Sequence, residues 1–194
     1  MTNDRYNHST YLVRKKILAL VGGSFEIFDA QGNLVLYSKM KAFKLKEDIR
    51  LYTGADMADE VLAIKARRIM DFSGTYDVVD SRTGEQVGAL QRSGWRSMLR
   101  DQWVIRDAGD NEIGSIQEES TVLAVVRRFV TSIIPQTFLV QIAGAPVAEF
   151  KQNFNPFVTK LTLDFSGDAQ HRLDRRLGIA AGVLLCAIEG KQEG

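Results

Sequence analysis

Short stretches of alternating apolar and polar residues recur along the chain, and each is followed by a polar turn and a second such stretch. Three copies begin at Phe25, Tyr76 and Trp103, and their turns are rich in Asp, Gly and other small polar residues. Asp, Asn and Gly are typical of tight turns between antiparallel strands because they tolerate positive φ. The pattern therefore predicts a succession of β-hairpins, in which alternate side chains face a core.

The spacing of the outgoing strands, roughly 25 residues, predicts six related units and about twelve strands. Further outgoing strands are expected near Ile49, Thr137 and Lys160, and a first strand at Tyr11–Lys16. Return strands are predicted at Leu34–Lys39, Glu60–Ala66, Gln86–Arg92, Glu112–Gln117 and Pro146–Gln152. An open sheet of this width would expose two long edges, which closure into a barrel removes. We therefore predict a mainly β fold, a closed antiparallel barrel of about twelve strands.

An apolar stretch, Leu177–Ile188, follows the last predicted strand and is rich in small residues. A barrel of about twelve strands is too wide for its own side chains to fill. A hydrophobic C-terminal helix that is apolar on all sides is therefore expected inside it. We predict that Asp168 or Ser166 caps this helix and that Gly190 ends it. The alternative is a membrane span, but the uncharged run is about a dozen residues where a bilayer requires about 20.

The composition fits a single globular domain of 194 residues, with 45% apolar residues and 25 Lys and Arg against 24 Asp and Glu. Because the net charge is close to zero, nothing global indicates a nucleic-acid partner, and we expect none. We assign residues 11–190 to the barrel domain and residues 1–10 to a flexible N-terminal tail. The single Cys186 and the polar character of residues 1–10 favour a cytoplasmic location.

Motifs of catalytic, metal or cofactor-binding sites such as His-Glu-x-x-His, Cys-x-x-Cys and Gly-x-Ser-x-Gly are missing from the sequence. We therefore predict neither enzymatic activity nor a cofactor. His171, with Asp168 and Asp174 near it, could bind a metal, but the spacing fits no common metal site. The interpretation that we prefer is that these acids stabilise the start of the last helix, and we predict no metal.

Basic residues cluster in two segments between the predicted hairpins. The first cluster contains Lys39, Lys41, Lys44 and Lys46, and the second contains Lys65, Arg67 and Arg68. Groups of Lys and Arg bind phosphate head groups, although the same residues also keep strand edges soluble. From the two clusters we select Lys41, Lys44, Arg67 and Arg68 as candidate lipid-binding residues.

The segment 92–100 combines basic with apolar residues. If it forms a helical turn, one side carries Trp95, Met98 and Leu99, and another carries Arg92, Arg96 and Arg100. Such a turn suits an anionic membrane surface, with Trp95 inserted and with Arg96 and Arg100 at the head groups. The alternative is that the apolar side closes one end of the barrel while the arginines are solvated.

A further apolar segment, Ser120–Ile134, is predicted to form a helix that ends before Pro135. Packing over the barrel is the simplest interpretation of this helix. If its apolar face were exposed instead, it would indicate a protein partner or a membrane contact. This segment supports a protein-interaction scaffold as an alternative function.

From about Tyr11 to Ile188 the chain resembles the LURP-one-related family. The resemblance comes from the repeated hairpin units, the hydrophobic C-terminal helix, and the joints at residues 41–48 (KAFKLKED) and 98–103 (MLRDQW). That family is grouped with the Tubby C-terminal domains and the phospholipid scramblases. The resemblance implies a twelve-stranded antiparallel barrel around a central C-terminal helix, in agreement with the pattern of the residues.

For function, the resemblance implies either phosphoinositide binding on a basic surface, as in Tubby domains, or calcium-driven movement of phospholipids, as in scramblases. Where scramblases carry an acidic calcium segment, this chain has Asp164, Asp168 and Asp174 without the spacing of a calcium loop. We therefore expect a non-enzymatic cytoplasmic barrel, peripheral to the membrane, that binds anionic phospholipid. A scramblase-like lipid transporter and a protein-interaction scaffold are the alternatives.

Overall fold

The computed structural model describes residues 4–18, 22–40, 48–67, 74–92, 102–118, 136–153 and 158–188. Within these ranges a short 3-10 helix, Asp4–Tyr6, precedes twelve strands and one α-helix. The strands are β1 (Thr10–Leu18), β2 (Gly22–Phe28), β3 (Leu34–Met40), β4 (Asp48–Tyr52), β5 (Glu60–Ala66), β6 (Thr75–Asp80), β7 (Gln86–Arg92), β8 (Gln102–Arg106), β9 (Glu112–Glu118), β10 (Thr137–Ile142), β11 (Ala145–Asn153) and β12 (Val158–Asp164). The helix is α1 (Arg175–Ile188).

The strands form one closed antiparallel barrel. Each strand pairs with its neighbours in sequence, and β1 pairs with β12 from Thr10↔Asp164 to Lys16↔Val158. This last pairing closes the sheet, so the backbone hydrogen bonds of the first and last strands are satisfied by each other. The predicted closed, mainly β barrel of about twelve strands is confirmed, and the predicted strands lie within a few residues of the observed ones.

The hairpin turns share one construction, which explains the repeat in the sequence. In the pairs β2–β3, β4–β5, β6–β7, β8–β9 and β10–β11 the register shifts beside the turn. Each turn contains a residue with positive φ: Gly32, Met57, Gly84, Asp110 and Gly144. In three of them an aspartate, Asp29, Asp80 or Asp107, accepts backbone N–H groups of the turn. The recurrent Asp therefore fixes the turn, as the local pattern predicts.

The helix α1 lies inside the barrel, and the predicted central helix is confirmed. All of its residues except Arg176 are buried, with Ala180 0% and Leu184 1% exposed. It contacts β12, β7, β1 and β6. Among the residues that the structure describes, no helix has both the length and the apolar character to cross a bilayer.

Two glycines allow α1 to approach the barrel wall closely. A Cβ atom at position 178 would lie 2.6 Å from the ring of Phe165, and one at position 182 would lie 2.7 Å from the side chain of Leu163. Real Cβ atoms do not approach other atoms so closely, and interiors packed at this density do not accept extra volume without strain. Gly178 and Gly182 therefore set the distance between the helix and β12.

The start of the helix differs from the prediction. α1 begins at Arg175, and its cap is Asp174, whose Oδ1 accepts the N–H of the second helical residue at 2.8 Å. Asp168, a predicted cap, accepts the N–H groups of positions 172 and 173 in the loop before the helix, while Ser166 is exposed. The loop cannot be helical throughout because His171 has φ +50°.

The N-terminal segment also differs from the expected tail. Asp4–Tyr6 forms the 3-10 helix, the side chain of Tyr6 is 8% exposed, and Thr10 already belongs to β1. The hydroxyl of Tyr11 donates a hydrogen bond of 3.0 Å to the carbonyl of Arg5. Burial of the Tyr6 ring provides the free energy that orders this segment against the barrel.

Candidate anion-binding surface

Most of the predicted lipid-binding residues lie outside the described residues. These are Lys41, Lys44, Arg68, Trp95, Arg96 and Arg100, in the connections between β3 and β4, β5 and β6, and β7 and β8. Because consecutive strands are antiparallel, these connections leave from the strand ends opposite the hairpin turns, although the side chain of Arg67 reaches Asp110 in the β8–β9 turn. We call the end of the barrel with these connections the connection end. The predicted helix over Ser120–Ile134 also lies outside the described residues.

Arg67 is the predicted residue that the structure describes, and its charge is balanced. Its Nε donates to Oδ1 of Asp77 at 2.7 Å, and its Nη2 lies 2.9 Å from Oδ1 of Asp110. The hydrogen bond to Asp110, opposed by partial burial and supported by Asp77, raises the pKa of Arg67. An arginine held by two carboxylates presents little net positive charge to a ligand.

On the strands beside Arg67 the carboxylates outnumber the other cations, although Lys65 itself forms no ion pair with an acid in the described ranges. Lys65 lies in register between Asp48 on β4 and Asp77 on β6. Arg50 donates to Asp48 at 2.5 Å and to Glu60 at 2.8 Å. We call this set, on the outer face of β4–β6, the balanced wall.

A second group of cations lies where the barrel closes, and here the cations outnumber the carboxylates. Strand alternation places Arg14, Lys16, Lys39, Lys151 and Lys160 on the outer face of β1, β3, β11 and β12. Arg14 on β1 lies directly opposite Lys160 on β12. Lys16 on β1 and Lys39 on β3 lie on either side of Ser24 on β2. We call these five cations the basic wall.

Two carboxylates pair with the basic wall, and one of them, Glu26, lies at its centre. Its Oε2 is 2.5 Å from Nη2 of Arg14, and its Oε1 is 2.8 Å from Nζ of Lys16. Burial opposes ionisation of Glu26, but the hydrogen bonds from Lys16 and Arg14 outweigh it and hold the pKa below the usual value. Glu26 is therefore ionised at neutral pH and neutralises one of its two neighbours.

The second carboxylate that pairs with the basic wall is Glu149, and cations remain in excess after both acids are counted. Glu149 lies 3.7 Å from Nζ of Lys151. Lys39 and Lys160 form no ion pair with any residue in the described ranges, where Lys39 is exposed and Lys160 is half-buried. A third carboxylate, Asp164, lies on the same face of β12 opposite Glu149. Five cations thus share this face with three carboxylates, and the positive excess attracts anions.

The sequence analysis missed the basic wall except for Lys39. Arg14 and Lys16 belong to a short basic run that the analysis assigned only to a strand, and Lys151 and Lys160 lie far along the chain, so the sequence does not indicate that they share one surface. They become neighbours because β1 pairs with β12. The register of the first and last strands is the signal that would have found them, and it is set by closure of the barrel.

A cleft of about 350 Å³ at the start of α1 is a weaker candidate for chemistry. It is lined by Tyr6, His171 and the first residues of the helix. Nη1 of Arg175 donates to Asp168 at 2.8 Å, and Arg176 binds three carboxylates, those of Asp80, Glu85 and Asp174. These charges bind each other and stabilise the fold. In the described part of the chain no group of three His, Cys, Asp or Glu side chains is arranged to hold a metal ion.

Comparison with known proteins identifies the family. The model of the LURP-one-related family matches residues 34–185. The chain belongs to the LURP-one-related family. An X-ray structure of a protein from Arabidopsis thaliana is similar to this LURP-one-related barrel, with a TM-score of 0.50 and 14% identity over 97% of this chain and 98% of that chain. At this identity the likeness shows the fold alone. No curated protein matches the sequence.

Proposed function

We propose that this LURP-one-related barrel binds an anionic phospholipid surface, without catalysis, through its connection end. The strand order supports this proposal because β3 to β8 are consecutive neighbours in the barrel. The connections that contain Lys41 and Lys44, Arg68, and Arg96 and Arg100 therefore leave from adjacent strand pairs at one end. Cations on neighbouring connections can act on one anionic surface together.

The expected energetics favour several weak contacts over a single pocket. Each Lys or Arg near an anionic leaflet contributes about 1 kcal/mol, which ionic strength reduces. Trp95 contributes through insertion at the head-group level, where an amphipathic ring is favoured. Arg67 is expected to contribute less than its neighbours in sequence because Asp77 and Asp110 already bind it.

The position of α1 supports peripheral binding over a scramblase-like transporter. A transporter of that kind requires the last helix to enter the bilayer, whereas Ala180 and Leu184 face the inside of the barrel. The protein is therefore expected to leave membranes in high salt without detergent. Retention that only detergent reverses would favour the transporter instead.

Vesicle flotation tests the proposal directly. The protein is mixed with vesicles of phosphatidylcholine alone or of phosphatidylcholine with phosphatidylserine, at low and at physiological salt. We expect flotation with the anionic vesicles only, weakened at the higher salt. Equal failure to float with both vesicles would end the proposal.

Substitutions in the connections identify the residues involved. The pair Lys41→Gln/Lys44→Gln and the pair Arg96→Gln/Arg100→Gln are each expected to weaken binding by more than tenfold, since each removes two charges worth about 1 kcal/mol. Trp95→Ala is expected to weaken it by about fivefold, as the loss of a large interfacial ring. Arg67→Gln is the matched control within the same clusters, with an expected change below about twofold.

A further inference from the structure

We infer that the basic wall is a second head-group contact, so that the bound barrel meets the anionic surface with the side formed by β11, β12 and β1–β3 as well as with the connection end. The inference rests on the proposed function and specifies the orientation of the barrel. This surface consists of Arg14, Lys16, Lys39, Lys151 and Lys160, of which only Lys39 belongs to a basic cluster of the sequence.

Arg14 and Lys16 contribute to the fold through Glu26, but the position of Lys160 does not. Arg14 and Lys160 are direct cross-strand partners, and like charges directly opposite each other destabilise a sheet. On the balanced wall the equivalent cation, Lys65, lies between Asp48 and Asp77. Lys39 and Lys160, which lack an ion pair among the described residues, are stabilised when an anionic surface lies against them.

The dimensions of the wall fit an extended surface. Lys151 on β11 and Lys39 on β3 are four strand spacings apart, which is about 19 Å at about 4.8 Å per spacing. A single phosphate cannot contact side chains over that distance, whereas a layer of head groups can. The net charge of the whole chain is only +1, so the attraction depends on this side facing the anions.

The wall is continuous with the connection end. Lys39 lies near the end of β3, two residues before Lys41 in the connection to β4. Contact of the connections with a membrane therefore brings the β1–β3 side of the barrel near the same surface. The basic wall and the connection end can therefore contact the membrane at the same time while the barrel stays closed.

Substitution of Lys39 and Lys160 by glutamine is the most direct test. Neither side chain forms an ion pair with Glu26 or with another acid in the described ranges. Lys39→Gln and Lys160→Gln are each expected to weaken binding to phosphatidylserine-containing vesicles by about fivefold, and the double variant by about 25-fold. Lys65→Gln is the matched control, an exposed strand lysine on the balanced wall, with an expected change below about twofold. Thermal unfolding confirms that all variants are folded.

The outcomes separate this inference from the proposed function. If the unmodified protein does not bind anionic vesicles, both are overturned. If it binds and Lys39→Gln/Lys160→Gln behaves like Lys65→Gln, the basic wall is overturned while the proposed function stands. If a single-stranded RNA of mixed sequence binds more tightly than vesicles and depends on the same two lysines, the partner is a nucleic acid and the inference is overturned.

Discussion

Two regions of this barrel carry dense charge and use it in opposite ways. At the start of α1, which we call the helix-start cluster, Asp80, Asp168, Asp174, Arg175 and Arg176 are bound to one another. On the basic wall, cations exceed carboxylates, and two of the lysines have no acidic partner among the described residues. Three of the five residues of the first region are buried, whereas the five of the basic wall are either exposed or half-buried.

The difference separates charges that hold the fold from charges that are free to bind. A buried ion pair is costly to break because the remaining charge is left without water. An exposed cation can be neutralised with little loss of stability, because water solvates it in the folded and unfolded states alike. The helix-start cluster should therefore control stability, and the basic wall should control binding.

The largest expected effect comes from Asp168→Ala. The carboxylate of Asp168 is buried, and it binds Nη1 of Arg175 and two backbone N–H groups. Its removal leaves Arg175 buried without its acid, so we expect the free energy of unfolding to fall by about 3 to 5 kcal/mol. Chemical denaturation measures this. Glu112→Ala, which removes an exposed acid from β9, is the control and should change stability by less than about 0.5 kcal/mol. Similar values for the two variants would contradict a structural role for the pair.

A smaller loss is expected from Arg176→Gln. Nη1 of Arg176 lies 3.0 Å from Asp80 and 2.9 Å from Glu85, so it ties the helix to the β6–β7 turn. Asp80 retains its backbone donors after the substitution, so we expect a loss of about 1 to 2 kcal/mol. The control is Arg172→Gln, whose guanidinium is 4.0 Å from Asp168 and more exposed. An equal loss in both variants would show that the link to the turn is unimportant.

Acid should weaken the helix-start cluster in a defined pH range. For both Asp80 and Asp168, burial opposes ionisation, but hydrogen bonds from arginine and from backbone N–H groups outweigh it and hold the pKa below the usual value of an aspartate. The unfolded carboxylates, with pKa about 3.9, therefore take up protons first as the pH falls. We expect the contribution to be complete above about pH 5 and to decline as the pH falls through 4 towards the native pKa values.

Denaturation midpoints at pH 7, 5, 4 and 3 measure that decline. Between pH 7 and 5 the free energy of unfolding should change less than it does in Asp168→Ala or Arg176→Gln, because both carboxylates stay ionised in the folded and unfolded states. In Asp168→Asn the decline below pH 5 should be shallower, since one of the titrating groups is gone. A decline of equal slope in this variant would assign the acid sensitivity to other groups.

The sequence predicted the parts of the fold that depend on local chemistry. Asp29, Asp80 and Asp107 fix their own turns through backbone N–H groups a few residues away, so the hairpins are readable from short segments. The burial of α1 was readable from composition, because a helix without a polar face has no stable place at a surface.

What the sequence did not predict depends on contacts between distant segments. The burial of Tyr6 depends on the core of the closed barrel, to which its ring belongs. The start of α1 at Arg175 is the exception, because the positive φ of His171 and the Asp174 cap are local. The pairing of Arg14 with Lys160 requires the register between β1 and β12, which a residue pattern does not contain. The candidate site was therefore only partly predictable.

The smallest expected change in stability, and an opposite change in binding, comes from Glu26→Gln on the basic wall. Glu26 binds Arg14 and Lys16, so the substitution should lower the free energy of unfolding by about 0.5 to 1 kcal/mol. It also removes a negative charge from the proposed contact, so the affinity for phosphatidylserine-containing vesicles should rise by about two- to fivefold. Glu60→Gln is the control, because Glu60 on the balanced wall also has two side-chain partners, Arg50 and Ser81, and it should lower stability similarly without changing affinity. A rise in affinity in both variants would mean that net charge alone governs binding, and no rise in either would mean that the basic wall does not touch the membrane.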